Sequence, residues 1–203
     1  IWLQVLKGVA AVHEADIIWR DLKSENVLCT SSKPSEMEVK ITDFGLAVKG
    51  VGKKLHSLTG TPDYFAPELM PRLLKRKSIT YDARVDAWAL GVLLYELYFG
   101  ETPFEPDDDA IKAAAERYGL KDYEAAKEAA LLQNIKNNDV DFPGEIPGDM
   151  KDLIQKCLEK EPSQRLRLDP GVAPLISSHP WVCEEFGSCE AKRKKKKKKE
   201  KKV

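Results

Sequence analysis

The 203-residue sequence lacks several features that would assign it to particular classes of protein. Its four cysteines form no CxxC pair and no closely spaced framework, which argues against a zinc site or a small disulfide-rich secreted domain. No apolar run approaches the roughly 18–20 residues that a membrane-spanning helix needs. The first residues show no signal-peptide pattern, and no internal repeat is present. These absences predict reduced thiols, no transmembrane segment and a cytoplasmic or nuclear location.

A dominant charge is also lacking, but the formal net charge of zero conceals two unequal parts. The segment KRKKKKKKEKK at residues 192–202 holds ten basic residues and one acidic residue. The rest of the chain therefore has 23 basic and 32 acidic residues, a charge of −9. We expect residues 184–203 to form a disordered lysine-rich tail. Three interpretations of this tail stay open: a nuclear address, a tether to anionic lipid or nucleic acid, or a solubilising end.

Periodicity predicts a mainly helical domain in the remainder of the chain. The segment DAWALGVLLYELYFG is apolar on nearly every face, which is typical of a helix that runs through a domain centre. Two short strands, NVLC and EVKIT, are expected around a turn-rich segment. Residues 43–66 have no period and predict a long functional loop. The predicted helices cover residues 1–15, 86–100, 107–137 with a break near Tyr118, 148–160 and 170–177.

A different pattern lies in IIWRDLKSENVL, residues 17–28, where charged side chains and an amide gather between apolar ends. Buried charge is costly unless it is paired or functional. Phosphoryl transfer needs a carboxylate that accepts a proton, a cation beside the phosphoryl group and oxygen ligands for Mg²⁺. This segment and the later DFG supply each part once, as Asp21, Lys23, Asn26 and Asp43.

Taken in their order along the chain, these motifs resemble those of the carboxyl-terminal lobe (C-lobe) of a eukaryotic protein kinase. The catalytic-loop pattern HRDLxxxN appears as WRDLKSEN at residues 19–26, DFG stands at residues 43–45, and APE at residues 66–68. The resemblance covers residues 1–183, the predicted catalytic domain. It implies a mainly α fold: a helical bundle around the central buried helix, with a short β-hairpin bearing the catalytic loop.

The resemblance implies catalytic and cofactor roles at the matching positions. Asp21 is expected to be the catalytic base. Lys23 and Thr61 are the choices of a serine/threonine kinase, with Lys23 neutralising the transferring phosphate. The cofactors implied are ATP and Mg²⁺. The expected ligands of Mg²⁺ are Asn26 and Asp43. Leu28 is expected to form the floor beneath the adenine of ATP.

Structural and regulatory roles follow from the same resemblance. Glu68 is expected to pair with Arg165, and Asp86 to anchor the backbone of the catalytic loop. Arg20 beside the base is typical of kinases whose activation loop is ordered by phosphorylation. The expected phosphorylated residue is Ser57, with Thr59 as the rival.

Trp19 departs from the family pattern, in which His is commonest and Tyr is typical of the AGC group of serine/threonine kinases. An aromatic ring here is expected to pack against Phe44 of DFG, and a buried indole N–H needs a hydrogen-bond partner. IIWRDLKSENVL and GTPDYFAPE favour an AGC-like kinase. Residues 105–130 exceed the usual connection at this point and are either a docking insert or a solvated helical excursion.

The sequence contains no glycine-rich loop, no strand lysine in a VAIK-like context and no partner glutamate for it. In kinases these belong to an N-terminal lobe (N-lobe). The resemblance therefore implies a fragment of a serine/threonine kinase that acts on protein Ser or Thr hydroxyls and is inactive without its N-lobe. The alternative is a non-catalytic, kinase-like binding module.

Overall fold

The structure, a computed structural model, describes residues 1–51, 55–56, 59–69, 81–168 and 176–186. Ser57, most of the helix expected at residues 170–177 and nearly all of the lysine-rich tail lie outside the described residues. Within them, no helix is both long enough and apolar enough to cross a membrane.

Helices are the main regular secondary structure of the described chain, in agreement with the sequence periodicity. The helices that follow the first turn-and-strand region begin close to the predicted positions, and the Ala-rich stretch is broken at Gly119, whose φ is +64°. Asp107 and Asp122 each cap a helix by accepting a hydrogen bond from a backbone N–H three residues on. The helices are α1 (Trp2–Glu14), α2 (Arg84–Phe99), α3 (Asp108–Tyr118), α4 (Tyr123–Asn137), α5 (Gly148–Cys157) and α6 (Pro180–Phe186).

The central helix α2 is buried on all sides over most of its length, from Val85 to Tyr95. Helices α1 and α5 pack against it, so one hydrophobic core surrounds α2. The helix ends at Gly100, which adopts the left-handed conformation with φ +84°. A helix without a polar face is stable only where its whole circumference is shielded from water, and α2 occupies such a position.

Four short strands form two pairs in the segment between α1 and α2. Strand β2 (Val27–Cys29) pairs antiparallel with β3 (Val39–Ile41), as the sequence predicts. Strand β1 (Ile17–Ile18) pairs with β4 (Val48–Lys49), inside the segment predicted to be a loop. Strand β4 within the segment predicted to be a long loop was missed because two-residue strands carry no periodic signal.

Helix α6 was not predicted, and it extends to Phe186, three residues past the expected domain boundary. Helix α5 ends at Cys157, earlier than the predicted residue 160. Cys29 and Cys157 are free thiols, as expected. Cys183 is disulfide-bonded, which contradicts the expectation that all thiols are reduced.

Helices α3 and α4 form an antiparallel hairpin with a small core of its own. Ile111 and Ala114 of α3 pack against Ala126 and Ala130 of α4, apart from the main core. Another face of α4 contributes Leu131, Leu132 and Ile135 to the main core. The hairpin is therefore attached to the body of the domain through α4.

Gly91, in the middle of α2, marks the closest approach between α2 and α5. A Cβ atom at this position would lie 2.7 Å from the Cβ of Cys157 and 3.0 Å from Leu158. Because these neighbours belong to a packed helix, they cannot yield without displacing it. We expect Gly91→Ala to lower the free energy of unfolding by about 1–3 kcal/mol, measured by urea denaturation.

The matched control is Gly148→Ala in the first turn of α5, where a Cβ atom would meet no heavy atom within 4 Å. This variant should be neutral or slightly stabilising, since it reduces the freedom of the unfolded chain. Equal stability of the two variants would show that α2 and α5 are not in close contact at Gly91.

Candidate active site

Asp86, at the start of α2, holds the loop that carries the predicted catalytic residues. Its Oδ2 accepts a hydrogen bond from the backbone N–H of Trp19 (2.9 Å), and its Oδ1 accepts one from the N–H of Arg20 (2.9 Å). The Nε2 of His13 on α1 lies 2.7 Å from Oδ2 and donates to it, because a carboxylate can only accept. Only 1% of the Asp86 surface is exposed, so these bonds are shielded from water. The carboxylate thereby joins α1, α2 and the loop.

Four predicted residues lie within hydrogen-bond distance of one another in this loop and the segment that faces it. The Asn26 side-chain amide donates to the carbonyl oxygen (2.8 Å) and Oδ2 (3.1 Å) of Asp21. The Thr61 hydroxyl donates to Asp21 Oδ1 (3.3 Å) and accepts from Lys23 Nζ (3.1 Å). Lys23 Nζ is also 3.7 Å from Asp21 Oδ2. Both carboxylate oxygens of Asp21 are therefore oriented by neighbouring donors.

The β2–β3 pairing positions the backbone of Asp43 close to that of Asn26. Val27 pairs with Ile41, and the N–H of Thr42 donates to the carbonyl of Asn26 (2.9 Å), so Asp43 follows directly from the end of the ladder beside Asn26. Asp43 has φ +61°, a conformation that costs a non-glycine residue energy and needs support from its surroundings. Its Oδ1 accepts from the N–H of Gly45 (3.0 Å).

Trp19 supplies part of that support. Its side chain is fully buried, and its indole Nε1–H donates to the carbonyl of Asp43 (2.8 Å). The ring stacks on Phe44 with 5.6 Å between ring centroids and 28° between planes. The indole therefore has both the aromatic neighbour and the hydrogen-bond partner that the sequence requires of it.

Two apolar side chains beside the cluster face solvent. Leu28 on β2 is 54% exposed and Phe44 is 45% exposed. Each of these two side chains therefore presents apolar surface to the surroundings of the protein.

A second, partly buried network, which the sequence did not predict, fixes the segment after Thr61. The phenol of Tyr64 donates to the carboxylate of Glu96 and accepts from the N–H of Ser24 (3.1 Å). The Ser24 hydroxyl also donates to Glu96 (2.9 Å). Burial, followed by the hydrogen bond to Glu96, raises the pKa of Tyr64. Neither Tyr64 nor Glu96 belongs to a motif of recognisable spacing, so the sequence does not distinguish them from ordinary turn and helix residues.

Glu68 and Arg165, 97 positions apart, form a two-pronged ion pair with distances of 2.8 and 2.9 Å. The Arg165 side chain is fully buried and also donates to the carbonyls of Arg84 (3.0 Å) and Glu159 (3.0 Å). Such bidentate pairs hold two segments in a fixed orientation.

The predicted regulatory residues are described in part. The guanidinium of Arg20 donates to the carbonyl of Leu46 (2.7 Å) and to the hydroxyl of Tyr81 (3.0 Å). Thr59 is partly buried, whereas Ser57 lies outside the described residues. Gly60, with φ +113°, passes so close to the loop that a Cβ atom would lie 2.7 Å from the carbonyl oxygen of Arg20.

The donor set suits magnesium. Asn26 uses its amide nitrogen for Asp21, so its oxygen Oδ1 is left as an acceptor, and no described residue donates to it. An amide oxygen and the exposed carboxylate of Asp43 are hard ligands of the kind that Mg²⁺ prefers. Within the described residues, no group of three or more His, Cys, Asp or Glu side chains forms a metal site by itself.

Comparison with known proteins agrees with the motifs. The family described as "Protein kinase domain" matches residues 1–182.

The chain is 32% identical to human protein kinase C delta type over 180 residues, which are 88% of this chain and 22% of that protein. It is 34% identical to cAMP-dependent protein kinase type 3 of Saccharomyces cerevisiae over 181 residues, covering 89% and 38%. It is 36% identical to an Aurora kinase of Candida glabrata over 181 residues, covering 88% and 41%. The chain thus spans about a fifth to two fifths of the length of these relatives.

The indole hydrogen bond of Trp19 can be tested with a pair of identical substitutions. We expect Trp19→Phe to lower the free energy of unfolding by about 1–3 kcal/mol more than Trp88→Phe, because it leaves the carbonyl of Asp43 without its donor. Trp88 is the matched control: it is equally buried, and its Nε1 has no hydrogen-bond partner among the described residues. Equal losses in urea denaturation would mean that Trp19 acts through packing alone.

Proposed function

We propose that this chain, which belongs to the protein kinase family, forms the C-lobe of an AGC-like serine/threonine kinase. The reaction is transfer of the γ-phosphoryl group of ATP to a Ser or Thr hydroxyl of a protein. The observation that carries the proposal is the shared arrangement of Asp21, Lys23, Asn26 and Thr61, which hydrogen bonds connect on a loop anchored by Asp86. A scaffold has no physical need for all of these residues in contact.

In this proposal Asp21 is the group that orients the acceptor hydroxyl and takes its proton. Its two oxygens are aimed by Asn26 and Thr61, so little reorganisation is needed when a substrate hydroxyl approaches. The ammonium of Lys23, held by Thr61 3.7 Å from Asp21, is placed to offset the negative charge of the moving phosphoryl group.

The protein kinase family generally uses ATP and Mg²⁺, and the residues present fit both. Asn26 Oδ1 and the Asp43 carboxylate would hold the metal, which supplies charge neutralisation to the nucleotide phosphates when bound. The exposed side chain of Leu28 would form the apolar floor beneath the adenine. Trp19 fixes the backbone of Asp43 and thereby the direction of its carboxylate.

The proposal also takes into account two motifs that these 203 residues lack. No glycine-rich loop and no VAIK-like lysine, the motifs that cover and clamp the nucleotide phosphates in kinases, occur in the sequence. We therefore expect residues 1–203 by themselves to be inactive and to need an N-lobe. The exposed face of Phe44 is the surface on which that lobe would rest.

Two further parts of the proposal concern the tail and the cellular location. A tail of ten basic residues between positions 192 and 202 suits anionic lipid or nucleic acid, with an affinity that falls as salt rises. A cytoplasmic or nuclear location is proposed with it, since protein substrates carrying free Ser and Thr hydroxyls are found in both.

The central experiment measures phosphate transfer from radiolabelled ATP with Mg²⁺ to a Ser/Thr peptide library. It uses the product of the full open reading frame that contains these residues. Removal of the base is expected to cut kcat by about 10²–10⁴-fold in Asp21→Asn, which keeps the shape of the side chain. Asp109→Asn is the control, because this exposed carboxylate lies on α3 and, among the described residues, pairs only with Lys112 at 3.5 Å. A wild-type protein that transfers no phosphate although its reading frame encodes the phosphate-covering motifs would favour the non-catalytic binding module.

Regulation by the activation segment gives a separate prediction. We expect Ser57→Ala to lower the activity of the full protein, because a phosphate at Ser57 would pair with the Arg20 guanidinium and order the loop. Thr59→Ala is the comparison, and a loss confined to Thr59→Ala would assign the modification to that residue. Full activity of protein shown by mass spectrometry to be unphosphorylated would contradict the switch.

A further inference from the structure

A well-formed cavity lies away from the candidate active site, between the carboxyl-terminal end of α3, Leu120 and one face of α4. Its volume is about 410 Å³, within the range of small-molecule sites. Its apolar floor is formed by Leu120, Ala125, Ala129 and Leu132. On α4 the lining positions recur every three or four residues, so one face of the helix is turned towards the cavity.

Two cations border this floor. Arg117, in the last turn of α3, donates from Nη1 to Gln133 Oε1 (3.3 Å), and its guanidinium lies 5.7 Å from the ring centroid of Tyr118. Lys136 follows Gln133 by three positions on α4 and therefore lies on the same face. The hydrogen bond and the ring keep the guanidinium at the cavity edge, where it can meet a ligand.

Neither cation is neutralised within the described residues: Arg117 and Lys136 form no ion pair there. Other lysines of the same hairpin do, since Lys127 lies 2.6 Å from Glu105 and Lys112 lies 3.5 Å from Asp109. One carboxylate, that of Glu128, also lines the cavity without pairing with either cation.

Basic residues in the last turn of a helix are also stabilised by the helix dipole. That effect accounts for Arg117 and Lys136 as helix-terminal residues. It gives no reason for two unpaired cations of separate helices to border one apolar cavity.

We propose that this cavity binds an amphiphilic monoanion, a carboxylate or sulfonate with an apolar body. The acid group pairs with Arg117 and Lys136. The apolar body covers the apolar floor of the cavity. Helix α4 also contacts the segments Pro62–Tyr64 and Pro67–Leu69, so the ligand would lie against a helix that supports the segment around Thr61. The proposal rests on the cavity and is independent of the proposed catalytic function.

The test uses the complete 203-residue chain and two probes, the fluorescent sulfonate 1-anilinonaphthalene-8-sulfonate and decanoate. We expect saturable fluorescence enhancement at one site, with displacement by decanoate and none by decyltrimethylammonium. The double variant Arg117→Gln/Lys136→Gln should weaken sulfonate binding by at least about tenfold, the loss expected when a charge-assisted hydrogen bond is removed. Lys112→Gln, which removes a cation from outside the cavity, should bind as the wild type does.

A second set of variants tests the cavity without changing its positive charge. Ala129→Leu fills the floor and should abolish binding, whereas Ala113→Leu adds the same atoms on an exposed position of α3 and should not. Glu128→Gln should strengthen binding by removing a negative charge. The lysine-rich tail is the same in every variant, so its attraction for anions cancels. No saturable binding, or binding that Ala129→Leu and the double variant leave unchanged, would overturn the proposal.

Discussion

The buried carboxylate of Asp86 is the interaction on which the rest of the site depends. It satisfies two consecutive backbone N–H groups of the catalytic loop and pairs with His13, so the loop is fixed to the most buried helix of the domain. Arg20, the second of these residues, has φ +70°, and a backbone in that region persists only where the surroundings hold it. The orientation of Asp21 follows from this anchor, because Asp21 comes directly after the residue that Asp86 holds.

Three other connections lock the segments around that loop. The indole of Trp19 donates a hydrogen bond to the carbonyl of Asp43. The phenol of Tyr64 connects Ser24 to Glu96. The guanidinium of Arg165 connects Glu68 to the backbone of two further segments. Each of them ties a residue of the candidate site or of its flanking segments to a position distant in sequence. The site is thus built from loops, but its geometry is set by α2 and the core around it.

Much of this arrangement could be predicted from the sequence, and the reason differs between elements. The uniformly apolar α2 stands out as a long apolar run, and the amphipathic α1 and α5 have strong periodic signals. Asp21, Lys23, Asn26 and Asp43 stand at fixed spacings, so the resemblance to kinases indicated them together, although their chemical roles remain predictions. His13, Tyr64 and Glu96 were missed as a group because partners joined only by folding leave no local pattern. The pairing of β1 with β4 was missed because strands of two residues are shorter than any period.

The separate small core of the α3–α4 hairpin has a consequence for how this fold can change. Ile111 and Ala114 are the buried residues of α3, and both contact α4 and not the main core. Substitutions at these two positions therefore reach α2 only through α4, and we expect their effects on stability to be nearly additive with those of substitutions in α2. Over evolutionary time such a hairpin can lengthen, shorten or acquire new surface chemistry while the machinery beneath it is conserved.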